Sequence, residues 1–262
     1  MNERESRKSI KKRDWISIFF RSFLIQASWS FERMQSLGFA YAMLPALRRL
    51  YPGREEFRAR LSLHMEYFNT QPYLASFILG AAVRLEEERA AGGEGTKSEV
   101  SELKTTLMAP LGALGDSFFW GALKPMSVLI AVTVLLAGFW WAPILFLVLY
   151  NSWHLWLRAG VLRLGYCSSG DVMQLMARYR FTRWAGLFKA VAIAVLGGMI
   201  GMLPVWRQEY KPDLFANGTA SAVAALLITL VLSALLRRRG SPIKLMLGIA
   251  AVCTALAYAG AV

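Results

Sequence analysis

AVAIAVLGGMIGMLPVW, residues 190–206, carries no charged side chain. A helix needs roughly 20 predominantly apolar residues, within about 17–25, to cross the hydrocarbon core of a bilayer, so this run predicts a transmembrane helix. Two further uncharged runs follow, 214–236 and 245–262. Small residues inside them (Gly197, Gly198, Gly201, Ala220, Ala222, Ala224, Ala225) suit close helix approach in lipid. The connection RQEYKPD is charge-mixed, whereas RRRGSPIK at 237–244 is strongly basic and belongs on the cytoplasmic side. The first run therefore leads outward, the second returns and the third ends outside.

Working towards the N-terminus, SVLIAVTVLLAGFWWAPILFLVLY (127–150) is uncharged and long enough to span. Pro143, following Trp140 and Trp141, predicts a kink or a hairpin within it. Residues 155–183 place Arg158, Arg163, Arg178, Arg180 and Arg183 among apolar positions, as helices at the cytoplasmic interface do. Residues 14–85 read as amphipathic helices, broken by Pro45 and by YPG at 51–53, with stretches 54–68 and 72–85 beyond. Residues 86–106 read as a polar loop, because EEERAAGGEGTKSE is charged and carries glycines. The expected organisation is a basic cytoplasmic tail (1–13), amphipathic helices (14–85), that loop, re-entrant or spanning helices (107–150), interfacial helices (151–189) and three transmembrane helices (190–262). The fold class is all-α: an integral membrane protein with amphipathic or re-entrant N-terminal helices and about four C-terminal hydrophobic spans.

Composition agrees. Of 262 residues, 56% are hydrophobic and 18% charged, against roughly 45–50% and about 25% in soluble domains. The net charge of +13 sits next to apolar spans (RKSIKKR at 7–13, RYRFTRW at 178–184, RRR at 237–239). That placement favours topology and lipid over nucleic acid. Cys167 and Cys253 are too few for a disulfide framework, and His64 and His154 lack metal-ligand partners at helical spacing. No metal or other cofactor is expected. The charged N-terminus lacks the pattern of a cleaved signal peptide.

Three stretches concentrate polar chemistry. In HMEYFNTQPY (64–73), Glu66, Asn69, Thr70 and Gln71 stand at the mouth of the apolar run LASFILGAAV. Pro72 suits the first helical turn, which makes Gln71 the N-cap and puts Asn69 and Thr70 in a break between helices. Amides donate and accept, as sugar hydroxyls require; the plainer reading is that they satisfy helix ends. In PLGALGDSFFWG (110–121), glycines and Pro110 argue against a continuous helix, and Asp116, followed by Ser117, reads as the N-cap of a short half-helix or as a functional acid among apolar neighbours. In SWSFERMQSLGF (28–39), Glu32 and Arg33 diverge on a helix, while Ser28, Glu32 and Gln35 share a face. Nothing fixes a catalytic geometry among the serines, histidines and acids, and His64 reads as a packed or partner-facing histidine rather than a phosphate carrier.

These stretches carry a resemblance. SWSFERMQSLGFAYAMLPALRRLYP, HMEYFNTQPYLASFILG, LMAPLGALGDSFFWGALKP and, at 150–166, YNSWHLWLRAGVLRLGY together resemble the IID subunit of the mannose/fructose/sorbose-class sugar phosphotransferase system, from about residue 14 to the C-terminus. Departures are Ser30, Phe31, Ala109 and Lys124, where the family commonly has Asn, Tyr, Gly and Arg; Lys124 keeps a charge but loses a bidentate fork. The resemblance implies a multi-pass protein of the bacterial inner membrane with a cytoplasmic N-terminus. It implies pairing with a IIC subunit, further assembly into an oligomer of IIC–IID pairs, and a hexose-type sugar phosphorylated on entry by IIB, which IIA supplies. The IID chain itself is not phosphorylated in that family. Glu66, Asn69, Thr70, Gln71, Asp116, Ser117, Glu32, Arg33 and Lys124 are the candidates for the substrate path or the subunit interface. The alternative is a membrane receptor, signalling or interaction protein of this family that no longer transports sugar.

Overall fold

The computed structural model describes residues 9–92, 98–210, 248 and 251. The first amphipathic stretch forms α1, Lys12–Ser22, whose start is closed by Asp14 accepting from the Lys11 backbone N–H at 3.0 Å. An irregular segment leads to α2, Ser36–Leu50. Pro45 lies inside α2 rather than ending it, and the helix stops only at Tyr51, before Pro52 and Gly53. α3, Arg54–His64, opens with Glu55 and Glu56 at its positive end. α4, Ala75–Ala90, and α5, Ser98–Gly115, follow. Helix therefore takes up most of the expected polar loop over 86–106: α4 runs to Ala90 and α5 begins at Ser98. Glu86 is buried by packing, and the charges beside it extend α4 instead of ending it.

A larger difference lies beyond α5. The glycines and Pro110 do not break the chain. α5 runs into a π-helical segment, Asp116–Leu123, and then into α6, Lys124–Leu136, as one helical rod. Pro110, Gly112 and Gly115 sit within the α-helical part, and Gly121 within the widened turns. Glu99–Leu136 and Phe181–Gly201 are long and apolar enough to cross a membrane. Hydroxyls in the rod bond back along it, Ser127 to the Leu123 carbonyl and Thr133 to that of Leu129, both at 2.8 Å.

After a turn through Gly138, with φ of +91°, Pro143 opens α7, Ala142–Cys167, which packs back against α6. The apolar run 127–150 is thus a hairpin. α7 continues unbroken through residues expected to start an interfacial layer at 151: Arg158 turns inward and donates to the Ser22 hydroxyl at 2.9 Å, and Arg163 is exposed. α8, Val172–Tyr179, is capped by Asp171 and ended by Arg180 in the left-handed region. α9, Phe181–Tyr210, begins nine residues before the expected span at 190. The expected spans 214–236 and 245–262 lie outside the described residues. The chain divides into two units, residues 1–193 and 194–262, and α9 passes from one into the other. The described residues contain no β-strand, only the isolated bridges Ser30–Met34 and Met34–Phe68.

Within the first unit α4 is the axis. Its residues Ala75–Val83 are buried on every face, and its chief neighbour is α7. Two glycines set the distance between these helices. A Cβ on Gly80 would lie 2.1 Å from the Leu162 carbonyl oxygen, and one on Gly165 would lie 2.0 Å from that of Phe77. This is the small-residue contact by which helices approach in lipid.

Candidate functional site

The fold brings the second half of HMEYFNTQPY against the middle of the long rod. A cleft of about 560 Å³ lies between them, lined by Gln26, Gln35, Tyr67, Asn69, Thr70, Gln71 and Pro72 on one side and by Thr105, Met108, Gly112, Asp116 and Trp120 on the other. Asn69, Thr70, Gln71 and Asp116, singled out in two stretches about 45 residues apart, thus share one surface.

Residues 66–71 are irregular chain outside any helix, and their backbone groups need partners. Gln35 supplies them. Its backbone N–H donates to the Phe68 carbonyl at 2.8 Å, its side-chain nitrogen donates to the Thr70 carbonyl at 2.8 Å, and its side-chain oxygen accepts from the Thr70 N–H at 3.2 Å. A buried glutamine so replaces a neighbouring strand. The Thr70 hydroxyl donates to the Met108 carbonyl at 2.9 Å, tying the segment to α5. The Gln71 side-chain oxygen accepts from the Tyr73 and Leu74 N–H groups at 2.7 and 3.1 Å, and the Ala75 N–H bonds the Gln71 carbonyl at 2.9 Å. Gln71 closes the entry to α4 in this way.

Gln71 is only 2% exposed, and its side-chain nitrogen has no partner among the described residues. Gly115 makes room for it: a Cβ there would lie 2.5 Å from both Cβ and Cγ of Gln71. Across the cleft, Asp116 is exposed and is not an N-cap, since the helix runs through it. It has no bonded partner among the described residues. Trp120, one turn on, lines the same wall, and the Lys124 ammonium lies 4.9 Å from its ring centroid.

Other candidates fall outside. Glu66 accepts from the Ser101 hydroxyl at 2.7 Å on the surface. Ser117 is exposed beside the cleft rather than in its lining. Glu32 and Arg33 are exposed on the irregular segment, so the expected helical face of Ser28, Glu32 and Gln35 does not form. Gln35, Trp120 and Gly115 are the residues sequence reasoning passed over as site residues. Gln35 had only a polar side chain beside an apolar helix as its signal.

Behind the irregular segment lies a buried ionic cluster. The Arg60 guanidinium donates to both Glu86 oxygens, at 3.0 and 2.6 Å; Tyr51 donates at 2.7 Å and the His64 Nε2 at 2.9 Å. Burial would raise the Glu86 carboxyl, but the bonds from His64, Arg60 and Tyr51 outweigh it and hold the group at about 2. Burial, helped by the charges of Lys104 and Arg60, lowers His64, so it acts as a neutral donor. Burial and the bond to Glu86 raise Tyr51. The cluster joins α2, α3 and α4, and Phe39, stacked on His64, packs on Phe68 at 4.3 Å. It therefore fixes the wall that carries Asn69, Thr70 and Gln71. Among the described residues no three His, Cys, Asp or Glu gather as metal ligands.

Comparison with known proteins places this arrangement. A family model described as the PTS system mannose/fructose/sorbose family IID component matches residues 9–262. The mannose-specific EIID component of Escherichia coli K12 is 40% identical over 170 residues, which cover 64% of this chain and only 60% of that protein. The sorbose-specific EIID component of Lacticaseibacillus casei is 31% identical over 256 residues, covering 90% and 89%. Among solved structures, a chain of the mannose transporter ManYZ in complex with microcin E492 is 28% identical, with a TM-score of 0.60 over 96% of this chain and 98% of that one.

Proposed function

Because the chain belongs to the mannose/fructose/sorbose-family IID components of the phosphotransferase system, we propose that it is the non-catalytic membrane subunit of a mannose-class permease. It works with a IIC subunit to move a hexose-type sugar across the bacterial inner membrane, with its N-terminus in the cytoplasm. IIB, recharged by IIA, phosphorylates the sugar on entry, and no residue of this chain takes part in the transfer. IIC–IID pairs assemble further into an oligomer. The cleft between residues 66–72 and the α5–π segment is the face this chain turns towards the IIC subunit and the path of the sugar.

The observation that carries this reading is the Gln71 amide. Its oxygen is committed to α4, while its nitrogen is buried without an acceptor among the described residues. Leaving such a donor unmade costs about 1–3 kcal/mol, so the cleft is built for a partner that supplies one. Asn69 and the Asp116 carboxylate offer further polar contacts beside the Trp120 ring, a combination that suits either a sugar hydroxyl or a peptide carbonyl of IIC. The test is sugar uptake with IIC, IIB and IIA present. Asn69→Ala or Gln71→Ala should lower uptake about tenfold while membrane insertion is unchanged; wild-type uptake in both would return these residues to a purely structural role. A receptor role is the second reading, since a similar structure is a complex with microcin E492.

A further inference from the structure

A second constellation lies on another part of the first unit, where α1, α7 and α8 meet. An apolar groove of about 550 Å³ runs between α1 and α7, lined by Trp15, Ile16, Phe19, Phe20, Leu162 and Tyr166 among others. A second cleft, of about 530 Å³, opens between α7 and α8 and is lined by Trp156, Gly160, Arg163, Leu164, Arg178 and Tyr179. Arg163 and Cys167 line both. The Arg163 guanidinium has no acceptor or acid partner among the described residues, and no Asp or Glu lines either cleft. A Cβ on Gly160 would lie 2.1 Å from the Tyr179 hydroxyl, so the glycine gives Tyr179 the room to line the second cleft as it does. On α8, Met173 and Met176 point outward, 73% and 42% exposed, while Leu175 is buried.

We infer that this is a binding site for one anionic phospholipid, with an acyl chain in the α1–α7 groove and the phosphate between Arg163 and Arg178. A groove lined by apolar side chains and charged only at its Arg163 edge, continuous with the cleft that holds Arg178, matches the two halves of a lipid and matches neither a sugar nor a soluble anion. Guanidinium pairs phosphate bidentately, and an unpaired arginine at the polar edge of an apolar groove gains most from it. A basic amphipathic helix with exposed methionines lies naturally in the headgroup layer. The site rests on the chain being in a bilayer and is independent of what the polar cleft at Gln71 binds.

The experiment is native mass spectrometry of the full-length chain in detergent with phosphatidylglycerol or phosphatidylcholine added, and inorganic phosphate as a competitor. Phosphatidylglycerol should be retained in preference to phosphatidylcholine, and millimolar phosphate should not displace it. R163Q should weaken retention about tenfold. A159W, at an exposed position of the apolar groove, should weaken it while leaving both arginines in place, so that loss in R163Q through misfolding is separable. R58Q, on α3 away from the clefts, should retain lipid as wild type. Equal retention of the two lipids, displacement by phosphate, or unchanged retention in R163Q and A159W would overturn the site. So would loss of phosphatidylglycerol when a IIC chain is bound, which would make the face a subunit interface.

Discussion

Glu86→Gln keeps the shape of a buried side chain and removes its charge. Glu86 is fully buried and its carboxyl sits at about 2 against an ordinary value of 4.5, a difference worth about 3 kcal/mol at neutral pH. Mutational breakage of buried ion pairs gives a similar figure, about 3–5 kcal/mol, because the surviving charge is left unpaired in low dielectric. Here the survivor is Arg60, 4% exposed, whose Nη1 already lacks a partner among the described residues. At about 2–4 °C per kcal/mol for a chain of this size, the variant should melt roughly 10 °C lower, followed by intrinsic fluorescence of the detergent-solubilised protein. Combining Glu86→Gln with Arg60→Met removes the stranded cation as well, and the double variant should recover much of the loss. The pH dependence follows from a carboxyl whose folded value lies below its unfolded one. The stabilisation is complete above about 4.5 and is lost as pH falls towards about 2. A Glu86→Gln protein melting within about 2 °C of wild type, or a double variant no more stable than the single, would refute the reasoning.

Three glycines give sharper predictions. Gly80→Ala places a methyl 2.1 Å from the Leu162 carbonyl oxygen, where neither backbone can yield without parting α4 from α7. It should cost at least the 1–3 kcal/mol typical of overpacking, read as a drop in melting temperature and in yield of folded protein. Gly186→Ala, with open space around its Cβ, should be tolerated in the same assay. Gly115→Ala would press a methyl onto Cβ and Cγ of Gln71 rather than onto a main-chain carbonyl, so it should lower sugar uptake with a smaller stability loss than Gly80→Ala. Equal melting losses for the two would remove Gly115 from the site.

Much of the fold is legible in the sequence because lipid imposes a simple rule of charge and length. The hairpin before Pro143 follows from local chemistry that a reader of residues can apply, as does the capping role of the Gln71 side chain, although α4 itself begins at Ala75 rather than at Pro72. The errors share one cause. Pro45 inside α2, the charged residues that continue α4 to Ala90, and the glycines and Pro110 of the rod formed by α5 and the π segment are all cases where packing decides and propensity does not. Glu86 reads as loop from its neighbours Glu87 and Glu88, and only its partners Tyr51, Arg60 and His64, from two other helices, make it an interior residue. Likewise, Gln35 pairs with Thr70 across 35 residues, and nothing in local spacing announces it.

The π segment shows what that missing information does for the site. Gly112, Asp116 and Trp120 line one wall of the cleft at steps of four residues. In an α-helix each such step overshoots a full turn by about 40°, so the third residue would face about 80° away from the first. The widened turn that begins at Asp116 carries more residues per turn. A four-residue step there falls short of a full turn and cancels the drift accumulated before it. The wall is thereby straight where an α-helix would twist it, and Asp116 and Trp120 face Asn69 and Gln71 together. Glycine at 112 and 115 leaves that wall low enough for the Thr70 hydroxyl and the Gln71 side chain to reach across. The small residues that argue for a broken helix in the sequence therefore serve the same end by another route: they let a continuous rod present a flat polar face to whatever occupies the cleft.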